Sequence, residues 1–183
     1  MPRVLVPLAQ GCEELEAITI IDLLRRAEVE VVTAGLDDQP VIASRKTKIV
    51  PDTTLDRALK EDFDMIVLPG GMPGAQHLDD DSSIHELLKN MASSGKFVGA
   101  ICAAPKVLAN AGLLKGKRAT SYPGFIDKLG LEDVKSTGKA VECDGKIITS
   151  RGAGTAMDFA LKLVEVLVGT EKRDSVENAL VRN

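Results

Sequence analysis

Three groups of residues in this chain have the types and spacing for covalent or acid–base chemistry: Cys102, the acids Glu13, Glu14 and Glu16, and the pair Gly70-Gly71. Cys102 lies in the stretch from Lys96 to Leu108. Phe97, Val98 and Ile101 make an apolar run of strand length, and Lys106, Val107, Leu108 and Ala109 continue as helix formers. Pro105 fits the first turn of that helix, where its missing N–H is not needed. Cys102 is therefore expected at a sharp strand-to-helix turn, with Ala100, Ala103 and Ala104 leaving it room and its backbone forced into a sparsely populated region. This is a cysteine form of the nucleophile elbow, with alanine where glycine usually stands. A thiol at a helix N-terminus meets the positive end of the macrodipole and unpaired N–H groups, so the expectation is a thiolate at neutral pH. A buried cysteine acting as a small hydrophobe is the other reading of the same residue.

Glu13, Glu14 and Glu16 open a helix, where the dipole favours carboxylates. Turned inward over the strand ends, Glu16 would share a proton with Cys102, and burial would raise its pKa. A solvated carboxylate is the alternative for Glu16 and the preferred reading for Glu13 and Glu14. Gly70-Gly71 follows an apolar strand and lets the backbone approach a ligand closely. The N–H groups of Gly70, Gly71 and Ala103 would then form an oxyanion hole, although Gly-Gly also makes plain tight turns. The loop from Ser150 to Thr155 lacks the Lys-Ser/Thr of a phosphate-binding loop and the spacing of a dinucleotide fingerprint, which leaves at most a small anion there. His77 and His85 read as surface residues. With no Cys-x-x-Cys and no histidine beside a cysteine in sequence, no metal site is expected. Cys12 and Cys143 read as small apolar residues, Cys12 beside the ligand-binding edge.

The elements that must position these residues follow from pattern. Val4–Leu8, Val29–Ala34 and Asp64–Leu68 read as strands, and a helix begins at Glu13. On that helix Leu15, Ile18, Ile21 and Arg25 fall near one face, while Ile20, Leu23, Leu24 and Ala27 widen the apolar stripe, so it is expected to be well buried. Thr54 caps a short helix to Leu59, and Asp81 or Ser82 caps a helix from Ser83 to Ala92. Ala119–Tyr122 reads as a short strand, and Asp144-Gly145 signals a hairpin between Ala140–Cys143 and Lys146–Ser150. Helices over Thr155–Val168, stopped by Gly169, and Glu171–Leu180 end the chain. Strands alternating with helices imply an α/β sandwich, a mostly parallel sheet with helices on both faces. In such sheets ligands bind beyond the carboxyl ends of the strands, where Gly11–Glu16, Gly70–Gly74 and Cys102 all fall.

The 183 residues suit one domain spanning 1–183. A net charge of −4, with scattered Lys and Arg, argues against nucleic acid and anionic membranes, and no Trp and one Tyr leave no base-stacking platform. No apolar run approaches ~18 residues, and the N-terminus reads as a first strand rather than a signal peptide. Three well-separated cysteines argue for a reducing compartment, so the cytoplasm is the expected location.

Four motifs in order, Gly11-Cys12-Glu13-Glu14-Leu15-Glu16, Val67-Leu68-Pro69-Gly70-Gly71, Ala100-Ile101-Cys102-Ala103-Ala104-Pro105 and Thr149-Ser150-Arg151-Gly152-Ala153-Gly154-Thr155, resemble the ThiJ/PfpI superfamily. The resemblance is closest to its Parkinson-disease-protein (DJ-one) and YajL branch and covers nearly the whole chain. It implies a flavodoxin-like three-layer sandwich, a homodimer and an oxidation-sensitive cysteine. By that resemblance Cys102 is the nucleophile, Glu16 its hydrogen-bonded acid and Gly71 a backbone donor, with Arg45 and Arg151 near the pocket mouth or dimer contact. Family peptidases carry His directly after the nucleophile; here that position is Ala103, which counts against proteolysis. The branch also places a His near the pocket where this chain has Tyr122, so Glu16 would have to serve as base. The activity implied is a glyoxalase or deglycase acting on small aldehydes, dicarbonyls or glycated substrates, with no cofactor. The alternative is an oxidative-stress redox sensor or chaperone without turnover.

Overall fold

Strand β1 (Arg3–Leu8) sends Val4, Val6 and Leu8 to one face of a sheet and Leu5 to the other, and all four are buried. Burial on both faces needs a covering layer on each side, which is why the strand is a continuous apolar run rather than an alternating one. The computed structural model describes residues 1–182 and supplies both layers. The remaining sheet strands are β2 (Glu30–Gly35), β5 (Thr53–Thr54), β6 (Met65–Leu68), β7 (Phe97–Ile101), β10 (Val141–Asp144) and β11 (Ile147–Ser150). Their order is β10-β11-β7-β6-β1-β2-β5, parallel throughout except for the β10–β11 hairpin. Two short ladders lie outside this sheet, β3 (Val41–Ile42) with β4 (Lys48–Ile49) and β8 (Arg118–Ala119) with β9 (Lys135–Ser136).

Helices α1 (Glu14–Arg26), α6 (Ala156–Val168) and α7 (Thr170–Ala179) pack on the Val4, Val6 and Leu8 face. Helices α2 (Leu55–Ala58), α3 (Gly74–Asp80), α4 (Ser82–Ser93) and α5 (Pro105–Asn110) cover the other. This is the sheet covered on both faces that the alternating pattern implied, and it is the three-layer flavodoxin-like sandwich that the family resemblance implied. Gly99 in β7 shows how closely a layer approaches, since a Cβ there would stand 3.3 Å from the ring of fully buried Phe159 on α6. From β1 the chain winds outward to β2 and β5, then crosses back to β6 and β7. The winding direction therefore reverses between β1 and β6, and the crevice beyond their carboxyl ends is where such sheets take ligands.

Several local expectations change. On α1 the buried stripe is Glu16, Ala17, Ile20, Ile21, Leu23 and Leu24, whereas Leu15 and Ile18 are 50% and 45% exposed. The stripe that meets the sheet and α6 runs at three- and four-residue steps through Ala17, Ile20 and Leu24, which turns Leu15 and Ile18 outward. Helix α3 opens at Gly74, in a run that reads as a turn from sequence. Close packing places it: a Cβ on Gly74 would meet the Cys12 backbone N at 2.5 Å. The expected strand over 119–122 stops at Ala119, because Thr120 N–H donates to Thr149 Oγ1 at 2.9 Å and Tyr122 N–H to Cys102 O at 2.8 Å. The hairpin forms one residue later than expected: Asp144 pairs with Ile147, and the turn is Gly145-Lys146, with Gly145 at φ 63°.

Candidate active site

The turn after β7 is held by backbone bonds on every side. Cys102 N–H donates to Ser150 O at 3.0 Å, Cys102 O accepts from Tyr122 N–H at 2.8 Å, and Ala104 N–H donates to Ile101 O at 3.0 Å. Cys102 sits at φ 64°, a left-handed conformation that costs a non-glycine residue about 1–3 kcal/mol and persists only where the surroundings over-determine it. Ala100, Ala103 and Ala104 are buried beside it, and Pro105 opens α5 in its first turn. The side chain of Cys102 is half-buried, so its sulfur is neither sealed nor fully open.

Glu16, in the first turn of α1, is fully buried under that turn. Its Oε2 accepts from Gly70 N–H at 2.9 Å, and its Oε1 meets no protein donor of its own. The carboxyl lies against the Cys102 thiol, with which it can share a proton. Burial pushes the Glu16 pKa up to about 7, helped by the nearby Glu13 charge and opposed by the bonds to Cys102 and Gly70.

Burial first, and the adjacent Glu16 carboxylate second, push Cys102 up to about 12, while the N–H groups of Gly71 and Ala103 pull the other way. The elbow supplies the expected donors, but the desolvation that comes with them outweighs their effect. Glu16 is the group placed to share the thiol's proton.

Gly70 leaves the expected oxyanion set, because its N–H is already bonded to Glu16. Its lack of a side chain still matters: a Cβ there would stand 2.6 Å from the Cys102 Cβ and 2.8 Å from Glu16 Oε2. Gly71, at φ 85°, and Ala103 keep N–H groups directed at the sulfur.

The other expected residues divide. Tyr122 follows the elbow through its backbone bond, and its half-exposed ring meets Phe125 edge-on. It lines an open groove of about 430 Å³ together with Pro123, Arg151, Gly152, Ala153, Gly154 and Thr155. Exposed Arg151 donates through Nη1 to Gly138 O at 3.0 Å. Arg45 is exposed, and its backbone N–H is held by Glu14 at 2.9 Å. Cys12 is 1% exposed, so it packs in the core instead of lining a pocket or dimer edge. His77 is exposed, its Nδ1 at 2.9 Å from Gln10 O; His85 is half-buried rather than exposed, bonded to Asp79.

Glu13 and Glu14 are not merely solvated. Glu13 Oε2 caps α1 by accepting from Glu16 N–H at 2.9 Å. Glu14 binds the N–H groups of Arg45 and Thr47 and the Ser44 hydroxyl, pinning the loop after β3 against the start of α1. Partial burial opposes its ionisation, but these donors prevail and lower it to about 2. Sequence offered little signal for either role, because glutamate is not a favoured N-cap and the Ser44–Thr47 loop is remote in sequence. Among the described residues, no group of three or more His, Cys, Asp or Glu is arranged to hold a metal ion.

The site is thus a thiol against a buried carboxyl at the carboxyl edge of a flavodoxin-like sheet in an α/β protein. The chain belongs to the DJ-1/PfpI family, whose model matches residues 2–166. It is 47% identical over 173 residues to Protein DJ-1 homolog B of Arabidopsis thaliana; the match takes in 93% of this chain but only 39% of that longer protein. It is 40% identical over 167 residues to the Caenorhabditis elegans protein named glutathione-independent glyoxalase DJR-1.2, covering 91% of this chain and 89% of that one. The crystal structure of Drosophila melanogaster DJ-1beta superimposes with a TM-score of 0.94 at 43% identity, covering 98% of this chain and 97% of the other.

Proposed function

We propose that this chain is a cysteine-dependent enzyme of the glyoxalase or deglycase type, acting on reactive dicarbonyls such as methylglyoxal or on their early adducts with thiols and amines. The observation that carries the reading is the half-buried Cys102 sulfur, held at positive φ against a buried carboxyl that titrates near pH 7. A base of that pKa is matched to neutral pH: it is ionised often enough to accept a proton and protonated often enough to return one. The glyoxalase name of the C. elegans relative supports the same class.

In this reading the sulfur attacks the aldehyde carbon while its proton passes to Glu16. The former carbonyl oxygen gathers charge near the Gly71 and Ala103 N–H groups and then recovers the proton, giving a hemithioacetal. Glu16 next removes the hydrogen from the sulfur-bearing carbon as the electron pair shifts toward the neighbouring ketone. Return of that proton to the second carbon, with the hydroxyl proton passing from the first oxygen to the second, leaves a thioester of a hydroxy acid. Water displaces the acid and restores the thiol, so the net change is dicarbonyl plus water to hydroxy acid, without oxidant or reductant. Tyr122 can donate a hydrogen bond but is a poor base near neutral pH, which leaves proton transfer to Glu16.

The test is consumption of methylglyoxal, with the hydroxy acid measured as product. Native protein is expected to turn over and Cys102→Ala to lose that turnover; equal consumption by both overturns the reading. Redox sensing is the second reading, favoured by the same half-buried sulfur with N–H donors on one side and a carboxyl on the other. Two oxygens added to Cys102 alone after mild peroxide, in a protein inert to dicarbonyls, would favour it. Proteolysis is disfavoured by Ala103.

A homodimer forms part of the proposal, with the outward Leu15 and Ile18 of α1 meeting a second copy. Sedimentation as a monomer at micromolar concentration would remove it. The three free cysteines suit a reducing cytoplasm. Among the described residues no helix is long and apolar enough to cross a membrane.

A further inference from the structure

The backbone around Gly70 carries a closed circuit of hydrogen bonds that includes a carboxylate the chemistry above does not use. Glu13 N–H donates to Gly70 O at 2.9 Å, and Gly70 N–H donates to Glu16 Oε2 at 2.9 Å. Glu16 N–H then donates back to Glu13 Oε2 at 2.9 Å. Glu16 is thus gripped twice, at its backbone by the Glu13 side chain and at its carboxyl by the peptide that Glu13 N–H orients. The packing is tight, since a Cβ on Gly71 would stand 2.4 Å from Glu13 N.

We infer that Glu13 is a positioning residue for Glu16, locking the first turn of α1 and the Gly70 peptide in the register that presents the Glu16 carboxyl to Cys102. The inference rests on the reading of Glu16 as the proton partner of Cys102. Helix N-caps are usually short Ser, Thr, Asp or Asn side chains, and a generic cap would serve α1 as well. Glutamate adds a negative charge near a second carboxyl, which disfavours ionisation of the buried one. The titratable groups around Glu16 are Glu13 on the same turn, Cys102 on the elbow after β7, and Cys12 on the turn after β1, whose thiol feels Glu14, Glu13 and Glu16. Glu13 is thus a source of like charge that can be removed without touching the reacting atoms.

The experiment uses the full chain with Glu13→Gln, Glu13→Asp and Glu13→Ala. The Glu16 midpoint is read from carboxyl-carbon NMR, assigned by the signal that Glu16→Gln removes. The pH profile of Cys102 alkylation by iodoacetamide is read alongside it. Glu13→Gln keeps an acceptor oxygen but no charge, and is expected to lower the Glu16 midpoint by roughly half a unit or more and to carry the alkylation profile with it. Glu13→Asp keeps both and is expected to stay near the native midpoint. Glu13→Ala is expected to shift the midpoint at least as far and also to lower the melting temperature. Native Glu16 midpoints and native alkylation profiles in both Glu13→Gln and Glu13→Ala overturn the inference, whatever happens to their melting temperatures, because a purely structural cap moves only stability. Neither readout needs a substrate. A shifted midpoint in a protein that consumes no dicarbonyl would support the inference while removing the glyoxalase reading.

Discussion

Cys12, in the turn after β1, and Cys102, in the turn after β7, lie at the same edge of the sheet, and burial is the largest cause pushing each thiol up to about 12. Their surroundings differ. Cys12 is almost fully enclosed in the core under α1, and the nearby acids Glu14, Glu13 and Glu16 only make its ionisation harder. Cys102 is half-open at a left-handed backbone position, faces the N–H groups of Gly71 and Ala103, and touches a carboxyl that changes protonation near pH 7. Raised acidity constants alone therefore do not separate an inert thiol from a usable one. What separates them is a neighbour able to take the proton, together with a route for the substrate to the sulfur.

The comparison breaks most directly at Cys102, the proposed nucleophile. Cys102→Ala is expected to lower methylglyoxal turnover by at least ~100-fold, while Cys12→Ala leaves it within a factor of ~2, measured as steady-state product formation. Comparable losses in the two variants would erase the distinction. Glu16→Gln is expected to slow turnover by about 100-fold, since it removes the proposed proton acceptor and keeps the shape.

The same Glu16 substitution sharpens the electrostatic half of the contrast. The Glu16 pKa rises from its ordinary 4.5 to about 7 on folding, so its effect favours the fold below the lower value and is lost as pH climbs through the upper. Native protein should lose roughly 3 kcal/mol of stability relative to Glu16→Gln between pH 4 and pH 8, read from urea midpoints at each pH. Parallel pH profiles for the two proteins would show that Glu16 is not held neutral by burial.

Smaller effects follow from packing. Gly70→Ala is expected to destabilise by about 1–3 kcal/mol and to slow Cys102 alkylation, because the added carbon would strike Cys102, the Ile101 carbonyl and Glu16 together. Unchanged melting and alkylation would mean that the loop yields more easily than its contacts imply. Cys12→Ala should cost about 1 kcal/mol, the loss of a small buried group, with the Cys102 alkylation rate unaltered. A fall in that rate would show that the two turns are coupled.

Much of this was legible in the sequence. The elbow was readable because an apolar strand, three small residues and a proline leave the chain few ways to turn at Cys102, and the alternation of strands and helices dictated the sandwich. Asp81 as a cap and Gly169 as a stop follow from side-chain and backbone chemistry local to each residue. Helix α3 was hidden because its opening glycine is chosen for contact with Cys12, a neighbour remote in sequence. The outward turn of Leu15 and Ile18 was hidden too, since periodicity gives a stripe but not which edge of it meets the sheet.

Residue types and local spacing by themselves determined the layers and the elbow, because these depend on steric limits and hydrophobic period within a few residues, whereas the pairing of Cys102 with Glu16 was implied only by the family resemblance. Only the tertiary structure decided how that acid and the thiol meet. It enclosed Glu16, committed the Gly70 N–H to it, and set the Cys102 thiol against that carboxyl. Desolvation and proton sharing depend on which groups approach from distant strands, and that arrangement exists only once the chain has folded.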